Sequence, residues 1–204
     1  MQGDIARAVL DGASVIGLVD GSFETTAAVW HKEILFALAE GVAVLGAASM
    51  GALRAAECAQ FGMVPVGRIA KAYLHGALDD DAAVALEFGP AELGSPPLTE
   101  ALVDVEATLE RLLEDRLITP LRARAALDHA RSLFFKHRTI DALANGDAGF
   151  GLLYRENRAS QKRLDALELV ARLHGTVARR TPPPDGWEFA GSVFWDQALV
   201  VARR

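Results

Sequence analysis

Polar side chains able to do bond chemistry crowd into two stretches of this chain. The first is Asp20-Gly21-Ser22-Phe23 with Trp30-His31-Lys32-Glu33 after it. The second is Gly46-Ala47-Ala48-Ser49-Met50-Gly51 with Arg54 and Glu57 after it. Ser49 stands between an apolar run, Val42 to Leu45, and a helical pattern, so it is placed at a strand-to-helix turn. A serine there attacks a carbonyl when a neutral base takes its proton. The helix that follows aims the unpaired N–H groups of Met50 and Gly51 at a developing oxyanion. Ala47 occupies the place of the first glycine in a G-x-S-x-G elbow. Gly46, Ala47, Ala48, Gly51 and Ala52 leave room for a ligand to approach the backbone.

Lys32 is the matching base. A lysine amine gives up its proton when burial penalises the ammonium, and the chain has only four lysines, Lys32, Lys71, Lys136 and Lys162. The plainer readings stand beside these. Serine is a favoured helix N-cap, and a lysine on a helix is ordinarily a solvated one. His31 and Glu33 adjoin Lys32 and so point elsewhere on a helix. Asp20, Gly21, His31, Arg54 and Glu57 are candidates for orienting Lys32 or contacting a ligand tail. Cys58 falls at an apolar helical position and reads as core. Asp79-Asp80-Asp81 reads as a helix cap with solvated acids, because no histidine or fourth carboxylate stands at ligand spacing. His75, His129, His137 and His174 are scattered, so no metal is assigned. No Gly-Lys-Ser/Thr follows the glycines, which removes a P-loop. A small anion or nucleotide at the Ser49 helix start is a further reading.

The elements that must place these residues alternate in the first half. A short helix over 4–10 precedes a buried strand over 14–19. A helix over 26–40 carries Val29, Ile34, Leu35 and Leu38 as one stripe and ends at Gly41. A second buried strand spans 42–45 and a second helix 49–58. Two strands joined by a helix predict parallel pairing, and residues that follow the strand ends gather at one sheet edge. A turn-rich break at 62–67 is followed by a short helix over 68–76 and by another that Asp80 or Asp81 caps, running through Leu86. Three prolines and two glycines in 89–97 mark a boundary. Helices then follow over 99–115, from Thr119-Pro120 to about 137, from 139 to 145, and over 160–174. Trp187, Phe189, Val193, Phe194 and Trp195 read as a terminal strand or hairpin, with an interface as an alternative. The expected fold is α/β: a small, mostly parallel sheet with flanking helices over 1–94, then a mainly helical region over 95–204.

Composition narrows the class. The chain has 204 residues, is 51% hydrophobic and carries a formal net charge of −6. A chain of this length buries a core without disulfides or metals, and its acidic balance argues against nucleic-acid binding. No apolar run reaches membrane-spanning length. The N-terminus lacks a basic region of the signal-peptide kind, and one cysteine suits a reducing cytoplasm.

Longer blocks carry a resemblance. Ile16 to Phe23, Val29 to Leu35, Gly46 to Glu57, Phe61-Gly-Met63, Asp79 to Asp81 and Pro97 to Leu102 together resemble the TfuA-like family, over about residues 3–105. The resemblance implies a partner of YcaO enzymes in peptide-backbone thioamidation. In that pathway the YcaO protein activates an amide oxygen with ATP and sulfide replaces it. The TfuA-like partner releases sulfide from a thiocarboxylated ThiS-type carrier and helps the YcaO engage its substrate. By motif position the family's Ser–Lys pair maps to Ser49 and Lys32, with Ser22 a weaker serine candidate. No cofactor is implied for this chain, and a homo-oligomer is allowed. A non-catalytic adaptor of the YcaO enzyme is the alternative function. Members ordinarily start with a strand and a Gly-Pro turn ahead of the segment matching Gly3-Asp4, which this sequence does not show.

Overall fold

The computed structural model describes residues 1–19, 27–180 and 186–202, with 200–202 described by backbone alone. Two units emerge: residues 1–79 with 164–204, and residues 80–163.

The first unit is built from α1 (Asp4–Leu10), β1 (Val15–Leu18), α2 (His31–Ala39), β2 (Ala43–Gly46), α3 (Met50–Glu57), β3 (Val64–Pro65) and α4 (Gly67–Leu74). The strands form one parallel sheet in the order β1-β2-β3. Val15 pairs with Ala43 and Leu18 with Gly46, while Leu45 and Gly46 pair with Val64 and Pro65. Alternation sorts the strand residues onto two faces. Leu18 and Val44, with Ile16 at their side, pack beneath Ile5, Val9, Ile34, Leu38 and Ala55 of α1, α2 and α3. Val15, Ala43, Leu45 and Val64 face Ala166, Leu169 and Leu173 on the other side.

The second unit holds α5 (Leu102–Glu114), α6 (Pro120–Ser132), α7 (Ile140–Ala144) and α8 (Ala148–Glu156) around Val105, Leu109, Leu112, Phe150 and Tyr154. Thr119 and Thr139 cap α6 and α7 with their hydroxyls, as their sequence positions predict. Helix α8 is one that the sequence pattern does not announce. Glu100 is buried beside Tyr154 and Arg158, its carboxylate 2.7 Å from the guanidinium. Burial pushes its carboxyl above the usual carboxylate range, against the pull of Arg158. Asp104 is pushed up by burial likewise. It accepts hydrogen bonds from the Lys162 N–H and the Ser160 hydroxyl, each at 3.1 Å.

Those bonds start α9 (Gln161–Gly175), and α10 (Val193–Ala202) ends the described chain. Asp165 of α9 is buried and caps α4 from a distance. Its carboxylate accepts the N–H groups of Arg68 at 3.0 Å and Ile69 at 2.8 Å. Gly67 has φ +84°, and a Cβ there would lie 2.3 Å from Asp165 Cγ, so glycine is required on both counts.

Four expectations change. Helix α2 begins at His31, because the Glu33 carboxylate turns back to accept the Trp30 N–H at 3.2 Å and fixes the first turn there. The Asp80 segment makes only a 3-10 turn over Asp81–Ala83, capped by the Asp80 carboxylate through Ala82 N–H. The break near 62–67 contains the third strand. The aromatic C-terminal stretch ends in a helix, not a strand: Ser192 accepts the Trp195 N–H at 3.3 Å, and Trp195 buries against Ala6 and Phe36.

Candidate active site

Ser49 follows β2 by three residues and is the N-cap position of α3. It therefore stands at the carboxyl edge of the sheet, the edge where α/β proteins place their ligands. Two contacts force the chain into this turn. Ala47 N–H donates to Leu18 O at 3.0 Å, continuing the ladder past the end of β2. The first turn of α3 then rests directly on β1. A Cβ on Gly51 would lie 2.1 Å from Leu18 O, and one on Gly46 would lie 2.2 Å from Gly51 O. The small residues here let the protein's own backbone approach itself. The room that the sequence offers to a ligand is filled at Gly46 and Gly51 by Leu18, Met63 and Ala55.

Between strand and helix, Ala48 holds φ +71°. A residue with a Cβ pays about 1–2 kcal/mol for that conformation, which the packing above imposes. Ser49 is 4% exposed. Its hydroxyl makes no capping hydrogen bond, so the plain N-cap reading does not account for the side chain. The Ser49 carbonyl accepts from Ala52 N–H at 2.9 Å and Leu53 N–H at 3.3 Å. Among the described residues, the N–H groups of Met50 and Gly51 have no acceptor. Two donors at a helix start beside a serine are the arrangement that stabilises an acyl-transfer oxyanion.

Helix α2 begins at the same edge. Its first residue, His31, meets α3. His31 Nε2 lies 2.7 Å from Glu57 Oε2, and Arg54 Nη1 donates to the same oxygen at 2.7 Å. Arg54 Nε also donates to Val29 O at 3.2 Å. Arg54 thus ties the approach to α2 onto α3, so His31, Arg54 and Glu57 form one cluster. Lys32 takes a different direction. Its Nζ donates to Ser192 Oγ at 3.5 Å and lies 5.9 Å from the centre of the Phe189 ring. Among the described residues its hydrogen-bond partner is Ser192, not Ser49. Asp20, Gly21 and Ser22 lie outside the described residues.

Cys58 is buried at the end of α3, and burial pushes its thiol up to about 11, with Glu57 adding to the effect and Arg54 opposing it. A thiol so held is a poor nucleophile. Among the described residues no group of three or more His, Cys, Asp or Glu is placed to hold a metal ion. None of the described helices is long and apolar enough to cross a membrane. Ser192 and Phe189 are the neighbours of Lys32 that the sequence did not tie to it. Phe189 belongs to the aromatic stretch that the sequence presents as a terminal strand or hairpin, and nothing in the sequence singles out Ser192.

The sequence model described as TfuA-like protein matches residues 20–139, more than half of the chain. The match covers Lys32, Ser49 and the His31–Arg54–Glu57 cluster. No curated protein matches the chain.

Proposed function

Because the chain belongs to the TfuA-like protein family, which is associated with YcaO-dependent thioamidation, we propose that it supplies sulfide to a YcaO enzyme. The donor is a thiocarboxylated, ThiS-like carrier protein, and the reaction is hydrolysis of its terminal thioacid. The observation that carries this reading is the turn at Ala48–Ser49: a strained backbone, an uncapped serine hydroxyl and two adjacent N–H groups without acceptors among the described residues.

Ser49 Oγ attacks the acyl carbon of the carrier terminus, and Lys32 takes the hydroxyl proton. The N–H groups of Met50 and Gly51 hold the oxyanion. The carbon–sulfur bond breaks, the sulfur leaves as hydrosulfide with the proton that Lys32 carries, and an acyl-serine ester remains. Water then cleaves the ester and restores the hydroxyl. The balance is thiocarboxylate plus water giving carboxylate plus hydrogen sulfide. Lys32 acts in this scheme only after its amine leaves Ser192 Oγ. Asp20, Gly21, His31, Arg54 and Glu57 are assigned to the carrier tail or to the support of α2. The unpaired Cys58 suits the reducing cytoplasm in which sulfide is handled.

A second reading is a non-catalytic adaptor that binds the YcaO enzyme. It is favoured by one observation, that His31 bonds to Glu57 of α3 while the Lys32 amine is turned to Ser192. One experiment separates the two. Sulfide release from thiocarboxylated carrier is followed for wild type, Ser49→Ala and Lys32→Ala, and thioamidation by the YcaO partner is followed with free sulfide added. Hydrolysis predicts loss of release in both variants and rescue of thioamidation by free sulfide. Wild-type release in both variants leaves the adaptor.

A further inference from the structure

The contact that occupies Lys32 comes from the far end of the chain. Ser192 is 160 positions away in sequence, and both Ser192 and Phe189 lie beyond residue 139, where the family match ends. Their support is firm. Phe36 is one helical turn along α2 from Lys32, on the same side. Its ring packs 5.9 Å from Phe189 and 5.2 Å from Trp195, and those two rings lie 5.5 Å apart. Trp195 is 2% exposed. The aromatic trio therefore holds this segment on α2 independently of the Ser192 hydroxyl.

The hydrogen bond itself is weak. At 3.5 Å it is at the long end of the range. Ser192 Oγ also accepts the Trp195 N–H, so its lone pairs are shared. It caps α10, whose N-terminal end carries partial positive charge and disfavours an approaching ammonium. A weak contact on a firm support is a resting place that a lysine leaves at small cost.

We propose that Ser192 is a positioning residue that parks the Lys32 amine on α10, so that the C-terminal segment restrains sulfide release until the amine moves to Ser49. This rests on the hydrolase reading above and adds regulation to the same site. Loss of structure slows an enzyme, whereas loss of a restraint speeds it, so the direction of the effect is diagnostic.

The test compares wild type, Ser192→Ala, Ser192→Thr and Lys32→Ala in full-length protein. Sulfide release from thiocarboxylated carrier is measured together with the nitrogen NMR signals of the four lysine side chains. Ser192→Ala is expected to release sulfide about fivefold faster, the size of one ordinary hydrogen bond's net contribution. It is also expected to move the Lys32 Nζ signal while Lys71, Lys136 and Lys162 stay in place. Ser192→Thr keeps a hydroxyl and is expected to restore both the wild-type rate and the wild-type signal. An unmoved Lys32 signal, or a Ser192→Ala rate at or below wild type, overturns the restraint. The Lys32→Ala rate separates the two claims: if it equals wild type, the hydrolase assignment of Lys32 falls. If Lys32→Ala is inactive while Ser192→Ala behaves as wild type, only the restraint falls.

Discussion

Replacing Gly51 with alanine tests the packing that presents Ser49. The added Cβ would lie 2.1 Å from Leu18 O, 2.7 Å from Leu18 C and 3.1 Å from Val19 N. All three are backbone atoms of β1 and its end, so no side chain can rotate away. Relief requires the first turn of α3 to lift from β1 by about 1 Å, an overpacking strain of about 3 kcal/mol. Alanine returns about 0.5 kcal/mol through its better helix propensity near a helix start. The net loss is about 2.5 kcal/mol, or roughly 5–10 °C in midpoint for a chain of this size. Urea or thermal unfolding read by tryptophan fluorescence reports on the right unit, since Trp30, Trp187 and Trp195 all belong to it. Gly175→Ala is the control, because a Cβ there meets nothing within 4 Å, and it is expected to be neutral. The same displacement moves Ser49 and its two N–H groups, so sulfide release should fall about a hundredfold. A Gly51→Ala protein within about 0.5 kcal/mol of wild type would refute the reasoning.

Three further outcomes are expected. Asp165→Ala leaves two N–H groups of α4 without their buried acceptor and should cost about 2 kcal/mol in urea unfolding, with Asp165→Asn costing about half as much. Glu100 holds its proton more tightly folded than unfolded, so wild type loses stability as pH rises from about 4.5 through its raised folded value. Glu100→Gln removes that slope, and its advantage over wild type should be seen at neutral pH and vanish below about pH 4; an equal slope in both proteins would contradict the assignment. With its thiol pushed up to about 11, native Cys58 should react with a thiol reagent at pH 8 more than tenfold more slowly than the urea-unfolded chain. Equal rates would show that the site is open.

What the sequence disclosed was local, and what it hid was tertiary. The runs at 14–19 and 42–45 declare themselves as strands by continuous apolar character, and Thr119-Pro120 marks a helix start through side-chain chemistry that acts within three residues. Strand β3 is two residues long and leaves no periodic signal. The C-terminal aromatics favour strands by propensity, but the Ser192 cap and the burial of Trp195 against Ala6 select a helix. Propensity yields to such contacts. Ser49 and Lys32 were legible as residue types at a sheet edge. The partner of Lys32 was not, because a contact spanning 160 positions leaves no spacing to read. Gly46 and Gly51 read in the sequence as room for a ligand, whereas Leu18 and Met63 fill that room in the structure.

The most direct measurement is a search for the acyl-enzyme. Thiocarboxylated carrier is mixed with the protein, the reaction is quenched in acid within its first turnover, and the digest is mapped by mass spectrometry. Ser49 as nucleophile predicts the carrier's terminal acyl group on the peptide containing Ser49, absent from Ser49→Ala, with one hydrosulfide released for each acyl group bound. Sulfide release at the wild-type rate by Ser49→Ala, with no acyl group on that peptide in either protein, would contradict it.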